Sequence, residues 1–267
     1  MNPDLSKEYP LAPEQAAQYQ RDGHILLRGI ASPSEIEFAR PLITGIVDKV
    51  ARENNSQGRI SDYSKMFTQV TNVWTMDEGV RSFILAKKFA GIAAALMGVK
   101  GVRIYHDQAL IKEPGGKPTP WHQDYYYWPL ETDHTITMWM ALVDIPRTMG
   151  SMSFVSGSHV KGTFAELPIS DTSQEYFEKA IRDKNMKALS YELRAGDASF
   201  HSGRTLHAAH GNQSTNRREV ITIIYYADGT RIMKPDNEHR EVDMKVFHPG
   251  QKPGEPAASS LNPLVYP

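Results

Sequence analysis

A chain of 267 residues with 40% hydrophobic content can bury the core of one large domain or two small ones. Its formal net charge of −1 gives no electrostatic case for binding nucleic acid or an anionic membrane, and the lack of cysteine excludes disulfides, thiolate metal ligands and a cysteine nucleophile. Met1 to Lys7 lacks the basic and apolar stretches of a signal peptide, and no apolar run approaches the roughly twenty residues of a transmembrane helix, so a cytoplasmic protein with no membrane partner is expected.

In chain order, residues 1–12 read as an arm, and Pro13 to Gln20 as a short helix ended by Asp22-Gly23. His24 to Leu27 follows as an apolar strand. Ser32 or Ser34 can cap a helix from about Glu35 to Arg52, whose Ile36, Ala39, Ile43, Ile46, Val47 and Val50 fall at helical spacing. Asn54 to Gly58 is a turn or loop. Helices are expected over Asp77 to Phe83 and over Ala86 to Met97, the second closed by Gly98. Val102 to Ile111 reads as a strand with Arg103, Tyr105, Asp107 and Ala109 on one face. A break at 114–118 precedes an extended stretch at 121–129. Strands are then expected over Thr135 to Val143, Ser153 to Val155, Leu189 to Leu193, Ala198 to His201 and Thr205 to Ala209, with a polar insertion at 160–187 carrying a helix near Gln174 to Asp183. Glu219 to Ala227 has the highest β-propensity in the chain, and residues 248–267 read as a tail. Helices followed by many short strands do not alternate as β-α-β units, so the core is mainly β with N-terminal helices.

The chemistry centres on Trp121-His122-Gln123-Asp124. A histidine and an aspartate two residues apart on an extended stretch point to one side and can reach one metal ion. A third ligand from a distant strand would complete two imidazoles and a carboxylate, the set that suits non-haem Fe(II) handling dioxygen. His201, His207 and His210 are the nearby candidates, and Arg217-Arg218 follows them. An arginine there can hold a ligand carboxylate through two hydrogen bonds.

Several segments resemble the phytanoyl-CoA dioxygenase family of Fe(II)- and 2-oxoglutarate-dependent oxygenases: Tyr19 to Gly29, Ile111 to Gly116, Trp121 to Asp124, Trp139 to Leu142, Gly150 to His159, and 196–218. The resemblance runs from about residue 13 to about residue 228 of a single domain covering 1–267, with 229–267 as a C-terminal extension. It implies a double-stranded β-helix, the jelly-roll or cupin-like core, with the N-terminal helices packed on one sheet. It implies His122, Asp124 and His207 as the metal ligands, because His207, Asn212 and Arg218 stand in the family's order and spacing; His210 is the rival and His201 a neighbour. Arg218 is implied as the clamp on the distal carboxylate of 2-oxoglutarate, with Ser214 adding a hydroxyl and Gln108, Trp139 and Gln69 bordering the co-substrate. Trp139 would fill the core equally well. A carboxylate at Asp124, where halogenating relatives carry a small residue, argues for oxygenation.

The activity so implied is hydroxylation of a small organic substrate at the expense of 2-oxoglutarate and O2, releasing succinate and CO2. A metal-dependent hydrolase and a non-catalytic metal or 2-oxo-acid binding protein on the same fold are the alternatives. The substrate would be chosen by the segments 54–75, 125–128, 160–187 and the region after 228. Nothing in the sequence distinguishes a monomer from a homodimer.

Overall fold

The computed structural model describes residues 3–57 and 66–267. It opens with α1 (Pro13–Asp22), which starts on a proline at its first turn and ends at Gly23 in the left-handed region. Strand β1 (His24–Leu27) leads into α2 (Pro33–Ser56), whose N-terminus is closed by a reciprocal box: the Ser32 hydroxyl accepts from the Glu35 amide while the Glu35 carboxylate accepts from the Ser32 amide. Glu35 also pairs with the buried Lys88. The helix runs one turn beyond the expected end, to Ser56; of the expected 54–58 turn, Gly58 lies outside the described residues, as do 58–65 of the segment 54–75.

Strand β2 (Phe67–Thr71) precedes α3 (Glu78–Ile84), capped by the Asp77 carboxylate, and α4 (Lys87–Met97), closed by left-handed Gly98. The remaining elements are β3 (Val102–Lys112), β4 (Thr119–His122), β5 (Thr135–Ala141), β6 (Met152–Val155), α5 (Asp171–Asp183), β7 (Ala188–Ser190), β8 (Ala198–Ser202), β9 (His207–Ala209), β10 (Arg218–Ala227), α6 (Glu238–Phe247) and β11 (Leu264–Tyr266).

Among the described residues the strands form two antiparallel sheets. The larger has the order β1-β8-β5-β10-β3-β11, with β2 also paired to β3; the smaller has the order β4-β9-β6-β7. Non-consecutive neighbours in both sheets are the mark of a jelly roll, and the expected mainly β fold with flanking helices is what forms. Helices α2, α3 and α4 cover the outer face of the larger sheet, where Ile43, Phe83, Phe89, Ile104, Met138 and Ile223 share one apolar cluster. The inner face meets the smaller sheet through Trp139, Met152, Phe154 and Val220.

Two local departures matter for the site. First, β3 does not alternate strictly. Its pairing with β10 shifts between Ile224 and Tyr225, so that His106 faces Ile224 and Ile104 faces Tyr225, leaving Tyr105 as the extra residue. This bulge turns Tyr105 away from the Asp107 and Ala109 face expected for it and into a cluster with Trp128, Tyr226 and Phe247. Second, the paired strand β4 stops at His122. Asp124–Tyr126 is a 3-10 turn, so the following aromatics do not split between two strand faces. Tyr125 packs against the Arg204 guanidinium, 3.7 Å from its ring, while Tyr127 and Trp128 go to the cavity. Gly203 permits this packing, since a Cβ there would lie 2.4 Å from the Trp128 ring.

The C-terminal residues join the fold. Strand β11 extends the larger sheet beside β3, and the Asn262 amide donates to the carbonyls of Ile104 and Tyr105 at 3.2 and 3.0 Å. No helix among the described residues is long and apolar enough to cross a membrane.

Candidate active site

Strand β4 pairs with β9 so that His122 lies opposite His207, and Gln123 is extended, which returns Asp124 to the same side. One ligand atom from each of His122, Asp124 and His207 lies within 4.8 Å of the others. The Nε2 atoms of His122 and His207 stand 3.6 and 3.7 Å from Asp124 Oδ1. Each imidazole is oriented from behind: His122 Nδ1 is 2.8 Å from the Pro120 carbonyl and His207 Nδ1 is 2.9 Å from the Thr205 carbonyl. A carbonyl only accepts, so both Nδ1 atoms carry the proton and both Nε2 lone pairs face the common point. Burial pushes both imidazoles down to about 4, which keeps them neutral and able to coordinate near neutral pH.

Asp124 is presented through one oxygen. Its Oδ2 accepts from the Thr137 hydroxyl at 3.2 Å and lies 3.4 Å from His201 Nε2, leaving Oδ1 toward the two histidines. Burial alone would raise this carboxyl, yet His207, His201 and His122 together hold it well below the usual carboxylate range. Two neutral imidazole nitrogens and one carboxylate oxygen are the donor set of a non-haem Fe(II) site with adjacent open positions. Of the three candidate histidines, His207 is the one that reaches this point. His210 is exposed, with Nε2 3.0 Å from the Ser153 hydroxyl, and His201 stands behind Asp124. His201 and Thr137 complete the carboxylate's surroundings. Thr137 precedes Trp139 by two on the same strand, and both line the cavity.

A cavity of about 380 Å³ opens from this point between the sheets. Arg218, the first residue of β10, lines it at 2% exposure. Its Nη1 donates to the Gly150 carbonyl at 2.8 Å, its guanidinium sits 5.3 Å from the Trp139 ring, and its buried Nε has no hydrogen-bond partner among the described residues. Among the described residues no carboxylate neutralises it, and burial pushes it down to about 10. A buried charge left unpaired is costly unless a ligand supplies the counter-ion. Lys112, opposite Arg218 on β3, adds a second buried cation; its Nζ donates to the His210 carbonyl at 3.1 Å, and burial with Arg218 beside it pushes it down to about 7. Gly150 makes the Arg218 anchor possible. It has φ +83°, and a Cβ there would lie 2.7 Å from the His210 carbonyl.

Gln69, Gln108 and Trp139 line the same cavity. Ser214 does not. Its hydroxyl oxygen lies 2.7 Å from Asn212 Oδ1 and 2.9 Å from the Asn216 carbonyl, with one proton to share between those two acceptors, and it accepts from the Asn216 amide, so it closes the loop that delivers Arg218 rather than extending into the cavity. The expectation of a Ser214 hydroxyl on the clamp is corrected accordingly: the tight Asn212 turn uses it up. Arg217 points outward to Asp48 and Glu219, at 3.0 and 2.7 Å.

All four segments expected to choose the substrate contribute to the wall: Phe67 and Thr71, Tyr127 and Trp128, Ile169, and Asp243 with Phe247. Asp243 and its neighbour His106 had no motif to mark them. Their place depends on α6 docking over the cavity mouth and on the β3 bulge.

The chain resembles known oxygenases in sequence and in fold. It is 24% identical over 226 residues to a probable alpha-ketoglutarate-dependent hypophosphite dioxygenase of Stutzerimonas stutzeri, covering 80% of this chain and 78% of that one. It is 22% identical over 245 residues to the ectoine dioxygenase of Nocardia farcinica, covering 83% and 80%. Its structure matches the non-heme alpha ketoglutarate dependent carbocyclase SnoK from nogalamycin biosynthesis with a TM-score of 0.75 at 26% identity, over 96% of both chains. It shares the fold of EctD from S. alaskensis, solved with 2-oxoglutarate and 5-hydroxyectoine, with a TM-score of 0.71 at 18% identity over 87% and 84% of the chains. The family model described as Phytanoyl-CoA dioxygenase (PhyH) matches residues 19–220, and the chain belongs to that family as an Fe(II)- and 2-oxoglutarate-dependent dioxygenase.

Proposed function

We propose that this protein hydroxylates a small organic molecule, with His122, Asp124 and His207 holding Fe(II) and Arg218 holding the distal carboxylate of 2-oxoglutarate. The overall conversion is R–H + 2-oxoglutarate + O2 → R–OH + succinate + CO2. The observation that carries the reading is that the Arg218 guanidinium, with no carboxylate partner among the described residues, lines the same cavity as the two imidazoles and the carboxylate. A buried cation facing a metal-binding set fits a chelating dicarboxylate, whose far end supplies the missing charge.

When bound, iron and 2-oxoglutarate supply an oxidant made from dioxygen that takes a hydrogen atom from the substrate and returns hydroxyl. The chain's own residues do the positioning. The carbonyls of Pro120 and Thr205 fix both imidazoles as ligands, and Thr137 and His201 restrict Asp124 to one free oxygen. Gly150 and Trp139 orient the guanidinium, and Gln108 and Gln69 border the co-substrate. The sheets and α6 exclude water from the reacting carbon. The chain acts as one domain over residues 1–267, in the cytoplasm, as a monomer or homodimer. Its net charge of −1 supports a small-molecule substrate over nucleic acid or a membrane component.

Anaerobic titration of metal-free protein with Fe(II) and then 2-oxoglutarate tests this by visible absorbance. A weak charge-transfer band that needs both components is expected. Bound metal without the band would favour a metal-dependent hydrolase or a non-catalytic binding protein.

A further inference from the structure

The end of the cavity away from Arg218 carries its own unpaired charge. Asp243, on α6, lines the cavity, and its Oδ2 accepts from the Tyr105 hydroxyl at 2.9 Å. Among the described residues no lysine, arginine or histidine nitrogen pairs with it. Arg240, one turn earlier on the helix, is used by Asp236 and by the Tyr125 carbonyl, at 2.8 and 3.0 Å. Burial and the negative charge of Asp124 push the Asp243 carboxyl up to about 7, as expected where no cation compensates it.

Aromatic rings line the same cavity, and Tyr105, which holds this carboxylate, packs on Trp128 and Phe247 with ring centroids 5.7 and 5.2 Å apart. Phe247, one turn on along α6, stacks on His106 with ring centroids 4.1 Å apart and planes at 22°. Both line the cavity, as do Tyr127 and Trp128. His106 is 2% exposed with no partner for Nδ1, and burial pushes it down to about 3, so it stays neutral and does not supply the counter-charge. The bulge in β3 brings Tyr105 and His106 together onto this side.

A lone carboxylate among electron-rich ring faces matches a cation: hydrogen bonding to the carboxylate and the quadrupoles of the rings favour the same charged group. A neutral alcohol would gain only a single hydrogen bond. We propose that the substrate carries a protonated amine, seated between Asp243 and the rings of Tyr127, Trp128 and Phe247. This rests on the hydroxylase reading for the remainder of the cavity. The two ends then hold opposite charges. Arg218 takes the acidic co-substrate and Asp243 takes the basic substrate, so neither ligand gains by occupying the other's place.

The test uses full-length protein loaded anaerobically with Fe(II) and 2-oxoglutarate, with benzylammonium and benzyl alcohol as matched probes in calorimetric titrations. Wild type should bind benzylammonium at least about tenfold more tightly than the alcohol. Asp243→Asn, which keeps the side-chain shape and an acceptor for Tyr105, should erase that preference while retaining the charge-transfer band. Equal binding of the two probes by wild type, binding of neither, or a preference that survives in Asp243→Asn would overturn the inference. The wild-type comparison stands even if the variant fails to fold. Loss of the band in wild type would instead strike the hydroxylase reading, so the two failures are distinguishable.

Discussion

The two ends of the cavity are built from different parts of the chain. At one end, His122, Asp124, His207 and Arg218 all lie inside residues 19–220, where the family match falls, and all sit on or next to paired strands. At the other end, Ile224, Asp243 and Phe247 lie beyond that match, and two of them ride on a single helix laid across the sheets. At the first end each side chain is held by a hydrogen bond, to Pro120, Thr205, Thr137 or Gly150. The second depends on one docked helix and one bulge. The metal-binding set is thus held by the sheets, while the far end joins Tyr127 and Trp128, from within the matched residues, to a helix that lies beyond them.

This contrast can be broken most sharply at the ligands. His122→Ala or Asp124→Ala should lower substrate-independent succinate formation about 100-fold or more, with loss of bound iron by metal analysis. Turnover persisting in both variants would place the metal elsewhere. Arg218→Ala should weaken 2-oxoglutarate about 100-fold, the scale of a lost charge-assisted pair, while leaving the benzylammonium preference intact. Asp243→Asn should do the reverse, so the two variants dissect the ends. Unchanged 2-oxoglutarate affinity in Arg218→Ala would shift the clamp, with Arg217 as the next residue to test.

Gly150→Ala probes the support of the same end. Left-handed backbone and the close His210 carbonyl should cost about 1–3 kcal/mol, and displacement of the Gly150 carbonyl should raise the KM for 2-oxoglutarate about tenfold. Normal KM and melting temperature would show that Arg218 needs no such anchor.

The fold should respond to acid through buried histidines. His24, His106 and His248 are pushed by burial to about 4, 3 and 4 from an ordinary 6.5, so they stay neutral in the fold and take up protons on unfolding. Their contribution to stability is therefore complete above 6.5 and is lost as pH falls toward 4. The melting temperature of metal-free protein should fall by at least about 5 °C between pH 7 and pH 5. A flat profile would mean that these rings are protonated in the fold. The smallest effect is expected from Ser214→Ala, whose hydroxyl serves the Asn212 loop: 2-oxoglutarate affinity should stay within about twofold. A larger loss would return Ser214 to the clamp.

The legible parts of the chain are those where function and local geometry share a period. The His-x-Asp spacing, the apolar run of β10 and the capping residues of α2, α3 and α4 each impose their structure over a few residues, so a string of letters reveals them. The mainly β core was readable for the same reason. The choice among His201, His207 and His210 was open to spacing alone and needed the family's pattern. In three dimensions the β4–β9 register sets His207 opposite His122. Ser214 shows the converse: a hydroxyl at a suggestive position is consumed by its own turn.

At the distal end the sequence marked the segments, 125–128 and the region after 228, but not Asp243 or His106 within the wall. Tyr105 obeys the alternation of its strand on paper, and only a register shift against β10 turns it toward Asp243. Asp243 is one acid among 31 acidic residues, in a polar segment with no motif. It becomes distinctive once α6 buries it among rings and leaves it without a partner. Periodicity and spacing are local, so the sequence carries the His-x-Asp pair and the sheet core, and the family resemblance adds the third histidine and the arginine. Burial, pairing register and the absence of a counter-charge are properties of contacts between distant segments, and those only the folded chain decides.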